Sequence, residues 1–353
     1  MLVAASVASA RADSKALSRV ADQLSLRWAP VYVQHVADDD RGQDRPTRID
    51  FDGNWDATDN WDHQALFGTA LPPAGYGAAI LTATRAYLTY TLFYPRDWSD
   101  WCVSLICHDN DLESIQLIVE RDGGDGRLVE VRTKAHHSMS SVPASQVARS
   151  EDGRPVLRVE AQGHGISVCR PGDPQCAPQR GRIIYTPGLF PSLPPVAAEG
   201  QRVTYELLSL RDTLWSRRSA RDTRLWMDGE TGPLSYVGAR HGRLGDVMGA
   251  AMASNRFLGG VRPPWALAGA DGKRGDWFLD PEGADPRLPS PYVYHPFLDD
   301  LAGECRGARC KPAPRERSRV GYYFKLGAPY LALALGSIVV GGTLRRHVRG
   351  LPF

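Results

Sequence analysis

The stretch Tyr87-Leu-Thr-Tyr-Thr-Leu-Phe-Tyr94 and the run Cys107-His-Asp-Asn-Asp-Leu-Glu-Ser-Ile-Gln-Leu-Ile-Val-Glu120 decide the fold class. The first closes a segment, Ala79–Tyr94, whose aromatic and β-branched content predicts one or two strands. In the second, Leu112–Glu120 predicts a strand. Asp122-Gly-Gly-Asp-Gly126 is a turn signal, and Leu128–Thr133 is the natural return strand of that hairpin. Working outward, Ala29–His35, Val156–Val159, Arg182–Tyr185 and Val203–Leu210 read as further strands. Residues 13–27 have weak helical character. Val36–Asp62, polar and carrying Asp38–Asp40, reads as a long surface loop, and 170–202 and 259–319 read mostly as loop. Many short strands between turns, in a chain with 35 Gly and 26 Pro, predict a mainly β protein. The expected architecture is a β-sandwich with long loops, one body spanning residues 13–320.

The two ends predict a compartment. Residues 1–12 are short and apolar with small-residue cleavage signals, as expected of the remnant of an export leader. Residues 326–344 carry no charge over 19 residues and predict a C-terminal transmembrane segment; the basic tail 345–353 favours a cytoplasmic C-terminus. The alternative is a core helix or strand pair. The six cysteines form close pairs in sequence, Cys102/Cys107, Cys169/Cys176 and Cys305/Cys310, which read as disulfides in an exported chain. A net charge of +2 without a basic cluster argues against nucleic-acid binding.

Strand alternation puts Glu113, Ile115, Leu117 and Val119 on one face, and Asp111 joins them if the strand begins early. Two carboxylates then sit at the mouth of an apolar face, where an ionised group needs a partner, a proton or a metal. His108 precedes Asp111 by three residues, so that a turn there would bring its ring over the carboxylates. Asp97 ends the preceding strand, beside His108 if the strands form a hairpin. Three carboxylates and one imidazole suit Mg²⁺, Ca²⁺ or Mn²⁺ better than zinc. His137, after the return strand, is a candidate to contact the ligands from behind; His164 sits on a Gly163-His164-Gly165 turn and becomes a second candidate only through the family resemblance given below. The histidines are equally readable as a solvated pair (His136-His137) and a plain turn residue (His164). Trp55, Trp61, Trp98 and Trp101 cluster around acidic loops, suiting either a sugar or headgroup surface or ordinary core packing.

Tyr87–Ile118 resembles the heart of the necrosis- and ethylene-inducing-like proteins. That family has a tyrosine-rich strand ending in Pro-Lys-Asp, then a Gly-His-Arg-His-Asp-Trp-Glu heptapeptide. The counterparts are Pro95-Arg96-Asp97 and Cys107-His108-Asp109-Asn110-Asp111-Leu112-Glu113. The resemblance implies that Asp97, His108, Asp111 and Glu113 are metal ligands. Cys107, Asn110 and Leu112 depart from the pattern between those positions. Trp28-Ala-Pro-Val-Tyr-Val-Gln-His35 is similar to the opening of the related vacuolar-protein-sorting 62 family. The likeness covers residues 28–40 and 85–120.

Three functions follow as expectations. The first is an exported, cation-dependent module that binds a lipid headgroup or glycan at the cell envelope; the resemblance implies this, since in the family's cytolysins the cation helps bind a sugar-headed sphingolipid. The second is a hydrolase whose metal activates water with Asp111 or Glu113 as base. The third is a structural envelope protein stabilised by its cation. No nucleophile elbow, Walker loop, His-Glu-x-x-His or dinucleotide fingerprint is present, so the sequence leaves enzymatic activity open.

Overall fold

The computed structural model describes residues 2–38, 42–55, 59–97, 108–135, 138–189, 191–192, 201–217, 226–227, 238–239, 264, 276–282 and 291–297. The aromatic and aliphatic runs of the sequence become its central strands. β1 is Val31–His35, β2 Ala74–Thr82, β3 Arg85–Asp97, β4 His108–Glu120, β5 Arg127–Ala135 and β6 Ser138–Pro143. β7 (Val156–Val159), β8 (Ile166–Val168), β9 (Arg182–Gly188) and β10 (Gln201–Ser209) follow. β11 (Trp226–Met227) and β12 (Gly238–Ala239) pair with each other, and β13 is Tyr292–Tyr294.

Among the described residues one sheet runs in the order β6-β5-β4-β3-β2-β10-β9-β1-β7-β8, with β13 also pairing β2. Strands β2 to β6 form an antiparallel meander. β10 continues it in parallel with β2 and with β9. The far end returns on the near end, for β8 lies against β5 and β4. The sheet is therefore folded into two facing layers, the expected sandwich. Between them lies a core that includes Tyr32, Leu88, Tyr90, Leu92, Tyr94, Ile115, Leu117, Val131, Leu157 and Tyr185.

Helix α1 (Leu2–Trp28) covers this core with Ala21, Leu24 and Trp28, a helical spacing of apolar positions. It is continuous through the segment read as a leader remnant and the segment given weak helical character. Tyr90 Oη donates to the Ser25 carbonyl at 2.7 Å and Trp28 Nε1 to the Asp125 carbonyl at 2.6 Å, satisfying polar tips where the helix docks.

A second core lies on the other face of β2, β3 and β4. It holds Ile49, Phe51, Tyr76, Phe93, Leu112, Ile118, Trp215, Trp277, Phe278 and Phe297. This corrects the reading of Val36–Asp62 as a surface loop. Gln43, Asp44, Arg45, Thr47, Ile49 and Phe51 are buried. The segment covers the sheet and is held to it through its backbone: Thr47 N–H donates to the Phe93 carbonyl at 3.0 Å and Ile49 N–H to Tyr76 Oη at 2.8 Å. Its end is helical, α2 (Asn60–Phe67). The 259–319 segment likewise supplies β13 and a helical turn, Asp276–Leu279, whose Trp277, Phe278 and Leu279 are buried.

Cys169 and Cys176 form a disulfide. The Cys102/Cys107 and Cys305/Cys310 pairs lie outside the described residues, as do the 326–344 span and the 345–353 tail. Among the described residues no helix is long and apolar enough to cross a membrane.

Candidate metal centre

Strands β3 and β4 bring the sequence-predicted ligand positions to one end of the hairpin. In register, Asp97 faces His108, Tyr94 faces Asp111 and Leu92 faces Glu113. β4 begins at His108, so that this residue pairs with Asp97 as part of the strand. Asp111 and Glu113 are buried. They share alternation with Ile115, Leu117 and Val119, all members of the inter-layer core. By strict alternation Asp97 and His108 would lie on the opposite face. Asn110 breaks that alternation: it has φ 62°, in the left-handed region, inside the strand.

The other layer meets these carboxylates through His164, in the turn between β7 and β8. Its Nδ1 lies 3.0 Å from Asp111 Oδ2, a hydrogen bond across the end of the sandwich. Its Nε2 lies 3.2 Å from Asp44 Oδ1, off the direction of a good hydrogen bond, so that contact is chiefly electrostatic. The imidazole stacks flat on Tyr94, with ring centroids 3.7 Å apart. Asp44 in turn accepts the Ala37 N–H at Oδ2 (2.8 Å) and the Gln162 N–H at Oδ1 (2.6 Å). Tyr94 Oη donates to Gln34 Oε1 at 2.7 Å, a residue of β1. Asp44, His164, Asp111 and Tyr94 thus join four segments that are far apart in the chain.

The electrostatics follow from this geometry. Burial, the largest influence, would lower the His164 pKa. The hydrogen bond to Asp111 and the close negative charges of Asp111 and Asp44 together outweigh it and raise the pKa to about 9. His164 is therefore an imidazolium at neutral pH. Tyr94 is pushed far above the usual tyrosine range by burial first, then by Tyr185, Asp111, Asp44 and Glu113. The three carboxylates therefore surround its hydroxyl with negative charge.

Backbone strain concentrates here as well. Among the described residues the non-glycine positions with positive φ are Asn110 (62°), Gln162 (69°) and His164 (51°). All three belong to the two segments that meet at Asp111. Residues held in such conformations persist where the surroundings over-determine them.

Comparisons with known proteins give a partial likeness. No family model matches the chain, and no curated protein matches it. Among solved structures, one entitled "Toxin fold for microbial attack and plant defense" is 14% identical with a TM-score of 0.24, covering 27% of this chain and 45% of its own. Necrosis and Ethylene inducing Protein 2, from the causal agent of cocoa's Witches Broom disease, is 17% identical with a TM-score of 0.29. That match covers 41% of this chain and 67% of its own. A complex of NLPPya with glucosamine is 13% identical with a TM-score of 0.23, covering 28% and 44%. The chain thus spans about half the length of most of these structures. At such scores the site stands on its own geometry.

Of the residues proposed from sequence to lie behind the ligands, His164 contacts Asp111, while His137 lies outside the described residues, as do Trp98 and Trp101. Trp55 packs against the second core under the Arg217 guanidinium at 4.1 Å, and Trp61 lies under Arg96 at 4.5 Å. Sequence reasoning missed Asp44, because it sits in a stretch without strand or helix periodicity. It also missed a second group: one ligand atom each from Asp52, Asp59 and His63 lie within 4.8 Å of one another. The only sequence signal for that group is the placing of Asp59 four residues before His63 at the start of a helix.

Proposed function

We propose that this protein is a cation-dependent binding module. Asp97, His108, Asp111 and Glu113 would hold one divalent cation, Mg²⁺, Ca²⁺ or Mn²⁺, at the end of the sandwich. The observation that carries this reading is the concentration of buried carboxylates there: Asp44, Asp111 and Glu113 are all buried beside Tyr94 and the His164 imidazolium. Buried ionised carboxylates need compensating charge. His164 supplies one unit from behind, to Asp44 and to one oxygen of Asp111. A cation in front would supply the rest, with mostly oxygen donors in keeping with a hard metal. His164 would fix the Asp111 carboxylate as a histidine or carboxylate behind a ligand commonly does. When bound, the cation would offer positive charge and open coordination positions to a hydroxyl-bearing or anionic ligand.

The ligand class we favour is a glycan or a sugar-bearing lipid headgroup at a cell envelope. Support comes from the sequence resemblance over residues 85–120. The Cys169–Cys176 disulfide supports an exported protein. Export and an anchor at 326–344 belong to the same proposal. A second reading, a cation that only closes the sandwich, is favoured by the His164–Asp111 bond, since that contact already joins the two layers.

Calorimetric titration of the full chain with Mg²⁺, Ca²⁺ and Mn²⁺ tests the site. One equivalent of cation should bind, and Glu113→Gln should abolish that binding while far-ultraviolet circular dichroism stays unchanged. Retention of full affinity by the variant would sink the assignment. Flotation with vesicles containing glycosylated sphingolipid separates the two readings. Cation-dependent flotation supports docking; cation-dependent melting without flotation supports structural closure.

A further inference from the structure

The loop after Phe51 and the helix α2 gather ligand-type groups that belong to neither the first ligand set nor its supports. Asp52 Oδ2 accepts from Asn54 Nδ2 at 2.9 Å and is in short contact with His63 Nδ1. Asp59 Oδ2 lies 3.4 Å from the same Asn54 nitrogen and 3.7 Å from the same His63 nitrogen. One atom each from Asp52, Asp59 and His63 therefore converge within 4.8 Å, a span that a single ion with bonds of about 2.0–2.4 Å can bridge.

Hydrogen-bond donors converge on the middle of this group. The imidazole N–H and the Asn54 amide both point between the same two carboxylates. The Asp52 side chain is only 3% exposed, so its charge is not relieved by water. The Asp52 and Asp59 carboxylates thus face the same imidazole nitrogen. A metal ion between them would bring two positive charges and take the imidazole as a neutral ligand.

We propose that Asp52, Asp59 and His63 form a second metal site, which takes a first-row transition cation with Zn²⁺ as its best occupant. One imidazole and two carboxylates suit zinc, because nitrogen is a larger share of the donors here than in the first set, where three carboxylates accompany one imidazole. Asn54 would turn its amide to present oxygen as the fourth donor. His63 and Asp59 sit one helical turn apart on α2 and its cap, and Asp52 precedes them in the loop. The ion would staple that loop to α2. The helix also reaches the first hairpin, because Asn60 Nδ2 donates to Asn110 Oδ1 at 2.6 Å and the Trp61 carbonyl accepts from Arg96 Nε at 3.1 Å.

The test uses the full chain with Zn²⁺ as the probe, followed through the imidazole ¹⁵N resonances of His63 and by calorimetry. Zn²⁺ should shift the His63 ring signals on binding. His63→Gln and Asp59→Asn should each weaken that zinc site by about tenfold or more, taking the lower end of effects seen on losing a metal contact. Glu113→Gln should leave it unchanged. Unmoved His63 ring signals at millimolar Zn²⁺ overturn the proposal, and that result does not depend on any variant folding. Loss of zinc in Glu113→Gln but not in His63→Gln also overturns it, and assigns zinc to the first set. The converse result sustains this site even if Glu113→Gln shows no effect with any metal.

Discussion

At the scale of single residues, His164 has the most consequences. It is the positive charge between two buried carboxylates. His164→Ala would leave Asp44 and Asp111 facing each other across a gap, and breaking a buried pair in this way costs about 3–5 kcal/mol. Urea denaturation should show that loss. The pH dependence has a definite sign. The folded pKa of about 9 lies above the ordinary value of 6.5, so the folded state holds the proton more tightly. The stabilisation is fully present below the unfolded pKa and is lost as pH rises through about 9. In the cation-free chain, wild-type stability should therefore fall between these limits by an amount missing from His164→Ala. Equal slopes for the two proteins across that window would refute the imidazolium assignment. How much of the site could be read from the sequence divides along chemical lines. Asp111 and Glu113 were legible because strand alternation ties them to Ile115, Leu117 and Val119. Asp44 was not, since its role comes from contacts to Ala37, Gln162 and His164 that no local pattern encodes.

At the scale of elements, the β4–β5 hairpin shows sequence and structure in agreement. Asp122 Oδ1 accepts the N–H groups of Gly124 and Gly126 at 2.9 and 3.1 Å, which is the reason an Asp-Gly-rich stretch turns there. Gly126 has φ +75°, and a Cβ on it would sit 2.5 Å from the Glu120 carbonyl oxygen and 2.7 Å from Val119 Cγ1. Gly126→Ala should therefore lower stability by about 1–3 kcal/mol. Chemical denaturation reads the change; a loss under half a kilocalorie would show that the hairpin has another way to turn. Strands β3, β4 and β5 were legible because each has an apolar face and a turn at its end. β6 and β8 were not: Ser138–Pro143 has few β-forming residues, and Ile166–Val168 is three residues long. Both are strands because of their neighbours, β6 beside β5 and β8 beside β7. The polar 42–55 stretch was misread for the converse reason: it has no strand or helix period, and backbone hydrogen bonds to Phe93 and Tyr76 hold it against the sheet with only Ile49 and Phe51 as apolar anchors.

At the scale of the whole molecule, β2, β3 and β4 are shared walls. Their two faces line two different cores. Neither core can melt without stripping the sheet that supports the other. Unfolding should therefore be a single transition for the described body. Tryptophan fluorescence, dominated in the second core by Trp215 and Trp277, and far-ultraviolet circular dichroism should give coincident urea curves. Two separated midpoints would contradict it. The Cys169–Cys176 link ties the end of β8 to the following turn. Replacing both cysteines by serine should move that one transition to lower urea, by about 2–3 kcal/mol for a loop this short.

The return of β8 onto β5 and β4 also governs the order of assembly. Among the described residues β1, near the start of the chain, pairs with β7 and β9. β2 waits for β10. A chain emerging from the ribosome can form the β3–β4–β5 meander early. It cannot complete the hydrogen-bonded path from β2 through β10 to β9 until residues beyond 200 have been made. So many long-range pairings favour slow folding, and they leave the flank of β2 and the whole of β1 unpaired in the interval. Such a polypeptide gains from a chaperone that shields open strand edges during synthesis. For the same reason, a fragment ending before β9 should be sticky and insoluble instead of a smaller working version of the protein.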